Sequence, residues 1–265
     1  MYDLHIASTI TRHTDRNLMT NIDLLGDLNN KTVLEIGSGR GEMTRALATC
    51  MAGGGGRLII TDISDEHFAE IRTNLATLDL TIDFVRTSPP KLAGIRLGSV
   101  DLAVCNYTLS AINAVVGQGE LALHKIYEVL KPGGVLYVEE ELPFYMAASP
   151  AQMIWAEKWR LLKATQLLSN NRPTNEYQPD LLETLVSQAG FEDIEVSDEI
   201  ATFHAAEWWD DFKARFENSL GAIDGDSLKA ALNENLQTLE ENACTTGIME
   251  VPYVILTARK PWRIE

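Results

Sequence analysis

The chain has 265 residues, 45% of them hydrophobic, enough for one sizeable α/β core with additions or at most two small domains. Thirty-eight acids against 22 bases leave a net charge of −16. That argues against a nucleic-acid partner, which needs a basic face, and no local basic patch is found. Cys50, Cys105 and Cys244 are scattered without metal-ligand spacing, as buried thiols in a reducing cytoplasm are. The N-terminus has no signal-type apolar run and no stretch reaches transmembrane length, so no membrane partner is expected.

Residues 1–30 read as a helical lead-in, with Ile6, Ile10, Leu18, Ile22 and Leu25 as apolar points and Arg12, His13 and Arg16 between them. Such a segment either packs on the first strand or covers a ligand. Val33–Arg45 (VLEIGSGRGEMTR) follows as strand, glycine turn and helix. Val33, Leu34 and Ile36 surround a lone acid, Glu35. Gly37, Gly39 and Gly41 then precede a run with Met43, Ala46, Leu47, Cys50 and Met51 at helical spacing. Glycines are placed where a ligand meets the backbone or where φ is positive, and the helix start behind them presents free N–H groups.

The helix ends at the run Gly53–Gly56. Arg57–Thr61 reads as a second strand closing on Asp62. Ser64 is then expected to cap a helix with Asp65 and Glu66 in its first turn and Phe68, Ile71, Leu75 and Leu78 as its stripe. Thr81–Val85 and Val100–Cys105 read as strands three and four, a helix spans about Gly119–Leu130, and Val135–Val138 opens a fifth strand running into Glu139, Glu140 and Glu141. Strands and helices alternating this way make a parallel sheet covered on both faces. Its ligands bind at the carboxyl ends of the strands, where Asp62, Ser88, Asn106 and Glu139 join the glycine turn.

Beyond residue 140 the alternation is interrupted. Ser149 and Gln152 form a capping box with Pro150 at the first helical position, predicting a helix to about Leu168. After the loop Ser169–Gln178 come a helix Pro179–Ala189 ended by Gly190, a sixth strand Phe191–Val196, and helices over about Ala205–Leu220 and Ser227–Ala243. Val251–Ala258 is the last strand, with Pro252 acceptable near its start or at an edge. The domain division is thus one unit, 1–265: core 31–140, cover inserts 141–178 and 201–247, and the rest of the sheet at 179–200 and 248–265.

These residues resemble the class I S-adenosylmethionine-dependent methyltransferases, in particular their small-molecule branch. Glu35–Gly41 matches the acid-x-Gly-x-Gly-x-Gly loop and Asp62 the acid after the second strand. Asp101–Val104 matches the fourth-strand motif, Leu130–Gly134 the turn before strand five, and Gln188–Phe191 the turn before strand six. The resemblance implies a Rossmann-like doubly wound α/β sheet of seven strands, mostly parallel with the last antiparallel, plus helical inserts forming a cover. It implies S-adenosyl-L-methionine as cofactor, held by Glu35, Gly37, Ser38, Gly39, Gly41, Asp62, Ile63, Ser88, Asn106 and, from the N-terminal helix, Arg12, with Arg16 as the fallback. Thr87-Ser88-Pro89 stands where the family often has Gly-Asp-Ala, so the usual carboxylate contact to the adenine is replaced by the Ser88 hydroxyl or a backbone carbonyl, or is missing.

Asp62 as an ionised carboxylate can accept both ribose hydroxyls. Glu35, buried in a strand, must be paired and is expected to brace the loop amides. A nicotinamide dehydrogenase is the rival from another class, but its fingerprint needs a small residue at the position of Glu42. A binding-only member, or one using the cofactor for chemistry other than methylation, stays open. Methyl transfer is mainly alignment, so a general base is optional. His204, Glu139, His13 and Tyr107 are the candidates.

Trp155, Trp159, Trp208 and Trp209 fall in the inserts. They either pack the core or wall a pocket for a small-molecule acceptor. Ala201–Glu250 carries ten acids against three bases, a solvated face or an attraction for a cationic or amine substrate. Monomer and homodimer are equally compatible with the sequence.

Overall fold

A computed structural model of the chain describes residues 21–262. Arg12, His13, Arg16 and most of the expected lead-in lie outside the described residues. Seven strands form one sheet: β1 Thr32–Ile36, β2 Arg57–Asp62, β3 Thr81–Arg86, β4 Val100–Asn106, β5 Leu130–Glu141, β6 Glu192–His204 and β7 Ile248–Arg259. Their order is β3-β2-β1-β4-β5-β7-β6. The pairs from β3 to β5 are parallel, and β7 runs antiparallel to both β5 and β6. The order reverses between β1 and β4, which opens the crevice at their carboxyl ends.

Eight α-helices are described: α1 Glu42–Met51, α2 Phe68–Leu75, α3 Leu109–Ile112, α4 Gln118–Val129, α5 Pro150–Leu168, α6 Pro179–Gln188, α7 Ala205–Gly221 and α8 Asp226–Thr246. Val33, Leu34, Ile36, Leu58, Ile60, Val104, Leu136 and Val138 are buried in the strands, as expected of a sheet with both faces covered. The caps read from sequence form. Ser149 Oγ accepts from the Gln152 amide at 3.1 Å, and Gln152 Oε1 reaches back to the Ala148 amide at 2.8 Å. Gly190 follows α6 with φ of 100°.

Two expectations are corrected. Ser64 does not cap α2, which starts at Phe68 with His67 before it; the Ser64 amide is instead drawn to Asp62 Oδ1 at 3.0 Å. The sixth strand runs eight residues past Val196, to His204, so residues 201–204 belong to the sheet and the second insert begins at Ala205. The stretch from Glu192 to Glu199 reads as polar because β6 is an edge strand, largely exposed, and its five acids shield the open edge from pairing with another chain. Pro252 lies near the start of β7, where its carbonyl accepts from the Leu142 amide at 3.0 Å.

The inserts place α5, α7 and α8 together beside β6 and β7. Trp155, Trp208, Phe212 and Phe216 are at most 2% exposed, and the last three stack in sequence at 5.9 and 6.3 Å between centroids. This stripe is core. Phe212→Ala should therefore destabilise the protein by about 3–5 kcal/mol, read from urea unfolding midpoints. A loss below about 1 kcal/mol would mean the stripe is not packed as described.

Candidate active site

The glycine turn is clamped to β2, since the Gly37 and Ser38 amides both donate to the Thr61 carbonyl at 2.9 and 3.0 Å. Its three glycines serve different ends. A Cβ on Gly37 would lie 2.5 Å from the Thr108 methyl, and one on Gly41 would lie 2.7 Å from Ile71. Those two permit protein to pack on protein. At Gly39, φ 51°, a Cβ would meet nothing within 4 Å, so this residue keeps the floor of the crevice clear.

The Gly39 amide donates to Asp62 Oδ2 at 3.0 Å while Oδ1 holds Ser64. Asp62 thus fixes the turn and still has acceptor capacity left. Ser38 Oγ is buried without a hydrogen-bond partner, and Asn106 Nδ2 makes none of good geometry, although Asn106 leans on the Glu139 carboxylate; such atoms are rare in a folded chain and suit polar ligand atoms. Ser88 accepts from the Lys91 and Leu92 amides at 2.9 Å through its carbonyl. That carbonyl is committed to the turn, leaving the hydroxyl. Ile63 is half-buried beside Asp62.

Glu35 does not reach the loop amides. Its Oε2 accepts from Thr44 Oγ1 at 2.6 Å, bracing the first turn of α1, and it is 1% exposed. It shapes the cradle from behind. Burial pushes its carboxyl up to about 8, against the hydrogen bond from Thr44.

The tip of β5 carries Glu139, Glu140 and Glu141, all at most 6% exposed. Glu139 accepts from Tyr107 Oη at 2.7 Å, Tyr137 Oη at 2.8 Å and Asn21 Nδ2 at 3.3 Å. Burial raises its pKa while the two hydroxyls and the amide pull it back. Tyr107 has φ of 50° and donates its amide to the Glu139 carbonyl at 2.7 Å. A bulky residue held in the left-handed region is a sign of functional constraint. Glu140, on the other face, accepts from the Leu109 amide at 2.5 Å at the start of α3, and burial pushes it up to about 8. Glu141 Oε2 accepts from the indoles of Trp155 and Trp159 at 2.6 and 2.5 Å, tying α5 to the sheet.

The structure thus brings two of the candidate bases, Glu139 and Tyr107, into one pair. His204 is excluded from it: it is exposed at the β6–α7 junction, its amide donating to Glu207 Oε2 at 2.6 Å, because β6 carries it past the strand tips. Sequence reasoning missed Tyr137, Asn21, Thr44 and Glu141. Tyr137 was findable, because alternation puts it on the same strand face as Glu139. A groove of about 1030 Å³ between α5 and α8, lined by Met153, Leu161, Asn235, Thr238, Leu239 and Asn242 among others, shares no residue with this edge.

Residues 33–134 match the sequence family described as "Methyltransferase domain". Together with the relatives below, that domain match supports a class I S-adenosylmethionine-dependent methyltransferase. A ubiquinone/menaquinone biosynthesis C-methyltransferase of Enterobacter sp. strain 638 is 25% identical over 186 residues, 66% of this chain and 71% of that protein. The YcgJ protein of Bacillus subtilis superposes with a TM-score of 0.62 at 13% identity, covering 93% of this chain and 99% of that one. Phosphoethanolamine N-methyltransferase 2 of Haemonchus contortus, solved with S-adenosylhomocysteine, gives 0.59 at 15% identity, covering 93% of this chain and 52% of that one. The last two likenesses speak for the fold. The dehydrogenase alternative falls with the domain match. The cofactor is S-adenosylmethionine, and the open face of Gly39, the orphaned Ser38 hydroxyl, the Asn106 amide and the fixed Asp62 carboxylate fit it.

Two outcomes follow from this geometry. Asp62→Ala removes both a ligand acceptor and the anchor of the Gly39 amide, so calorimetry should show S-adenosylmethionine binding weakened by at least 1.5–3 kcal/mol, about the loss of a hydrogen bond to a charged group. Undiminished binding by the folded variant would overturn the assignment. For Glu35, the folded protein holds a proton that the unfolded chain releases near its ordinary value of roughly 4.3. Stability therefore falls as pH rises from there through about 8. Glu140 adds to the same fall. Glu35→Gln should flatten this dependence in urea melts between about pH 5 and 9; an unchanged slope would place the proton elsewhere.

Proposed function

We propose that the protein transfers a methyl group from S-adenosylmethionine to a small organic acceptor held between the strand tips and the cover of α5, α7 and α8. The observation that carries this reading is the Tyr107–Glu139 pair at the carboxyl edge, Glu139 buried and Tyr107 half-buried, with the aromatic insert tied to the same strand tip through Glu141. An open groove would suit a macromolecule better than this arrangement, and the acidic chain is unsuited to nucleic acid. The relatives' names support a small acceptor, since they specify ubiquinone and menaquinone biosynthesis and phosphoethanolamine.

Bound at Gly39 and Asp62, the cofactor supplies an electrophilic methyl group on a sulfonium. The rest is positioning. The turn fixes one reactant, the cover fixes the other, and closure excludes water, so that alignment can supply much of the acceleration. Tyr107 Oη already donates to Glu139. A hydroxyl or amine acceptor would pass its proton to Tyr107 Oη as the tyrosine proton moves to Glu139 Oε1, and the raised pKa of Glu139 favours holding it.

The test incubates the protein with methyl-labelled cofactor and a metabolite extract and follows the label by mass spectrometry. Label in a small molecule is expected; label only in protein or RNA, or in nothing, would overturn the reading. With the product in hand, Tyr107→Phe and Glu139→Gln should lower kcat by about 10²–10⁴-fold if they carry the proton, while cofactor affinity holds.

A further inference from the structure

The cover contains a buried cation that neither the cofactor cradle nor the Tyr107–Glu139 pair uses. Lys158 lies on the inward face of α5 between Trp155 and Trp159 and is 2% exposed. Its Nζ stands 4.9 Å from the ring of Trp159 and 5.9 Å from that of Trp208. Those contacts use the faces of the rings, and Nζ has no hydrogen-bond or ion-pair partner among the described residues. The nearby carboxylate, Glu141, has committed Oε2 to the indoles of Trp155 and Trp159. Asp211, also near, is exposed. Beside Lys158, Trp208 Nε1 is likewise buried without a partner. Two adjacent side chains thus present donors with nothing to accept from them, Nζ of a lysine 2% exposed and the buried Nε1 of Trp208, and an unmet buried donor costs free energy unless a ligand relieves it.

The location is the cofactor edge. Arg215 of α7 lies within electrostatic reach of Glu141 at the β5 tip and of Arg40 in the glycine turn, and Lys158 feels both Glu141 and Arg215. Burial lowers the Lys158 ammonium to about 8, with Arg215 adding to that and Glu141 and Asp211 opposing. It remains mainly charged at neutral pH. The excess acids of the cover point the other way: Asp210, Glu217, Glu234, Glu240 and Glu241 are all exposed. The cationic substrate that their number suggests is therefore not what the interior is built for.

We propose that Lys158 and Trp208 together receive a carboxylate group of the acceptor, so that the substrate is a small organic acid. One unpaired positive charge and one neutral N–H match one negative charge on two oxygens. Nζ lies 5.9 Å from the centroid of the Trp208 ring, which puts the two donors in one neighbourhood. The inference rests on the reading that a small molecule is held under the cover.

The experiment titrates the full chain, saturated with S-adenosylhomocysteine at pH 7, with benzoate, phenylacetate and cinnamate and with their primary amides. At least one acid should bind ten-fold or more tightly than its amide. Lys158→Met should erase that preference, Lys158→Arg should keep most of it, and Trp208→Phe should reduce it several-fold with the ring retained. All three variants should bind S-adenosylhomocysteine like the wild type. No preference for any acid, or a preference that survives Lys158→Met, overturns the proposal. If Lys158→Met fails to fold, Trp208→Phe decides by the same criterion. Failure of the broader reading would show separately, as absent S-adenosylhomocysteine binding or as label reaching no small molecule in the extract assay.

Discussion

Three consecutive carboxylates taken out of water at the end of β5 constrain everything around them. A buried acid without partners is expensive, and Glu139, Glu140 and Glu141 draw their partners from different parts of the chain. Glu139 takes hydroxyls from Tyr107 and Tyr137 and the amide of Asn21. Glu140 takes the start of α3. Glu141 takes two indoles of α5. Because successive strand residues face opposite ways, the three acids pin the loop after β4 and the cover to the same strand tip. This edge of the sheet is assembled by satisfying these acids, and a change at any one of them is felt by a different neighbouring element.

The cofactor cradle follows the same economy of partners. Asp62 holds the turn through Gly39 and the next loop through Ser64, and Glu35 holds α1 through Thr44. Neither acid needs to touch a ligand to be indispensable to the shape of the crevice. Asp62 is half-buried and keeps acceptor capacity, whereas Glu35 is enclosed. The first can serve both structure and binding and the second serves structure. The glycines divide likewise, Gly37 and Gly41 packed against Thr108 and Ile71 and Gly39 facing open space.

Much of this was legible in the sequence because it depends on local rules. The glycine turn, the Ser149 cap, the Gly190 stop and the apolar stripes are set within a few residues, and each appears where those rules put it. β6 was read short because an edge strand lacks the apolar pattern that marks a buried one, and its acids resemble a loop. Ser64 failed as a cap because its Oγ accepts from the Glu66 amide in a turn ahead of the helix, while its own amide goes to Asp62 two residues back. Tyr107 and Glu139 were separate candidates in sequence, 32 residues apart; only the parallel register of β4 and β5, Asn106 beside Glu139, makes them one pair. Lys158 was invisible as a functional group, since a lysine on a helix is ordinarily solvated, although its place between Trp155 and Trp159 on an apolar face was a readable signal.

In the proposed mode of binding the cofactor lies over Gly39 with its reactive end toward the β4–β5 tips. The most direct measurement is a crystal structure of the full chain with S-adenosylhomocysteine. Ribose hydroxyls are expected within hydrogen-bond distance of Asp62, with backbone contact at Gly39 and the sulfur directed toward Tyr107 and the underside of α5. Density for the ligand in the groove between α5 and α8, or a ligand whose ribose is held by residues other than Asp62, would contradict this mode of binding.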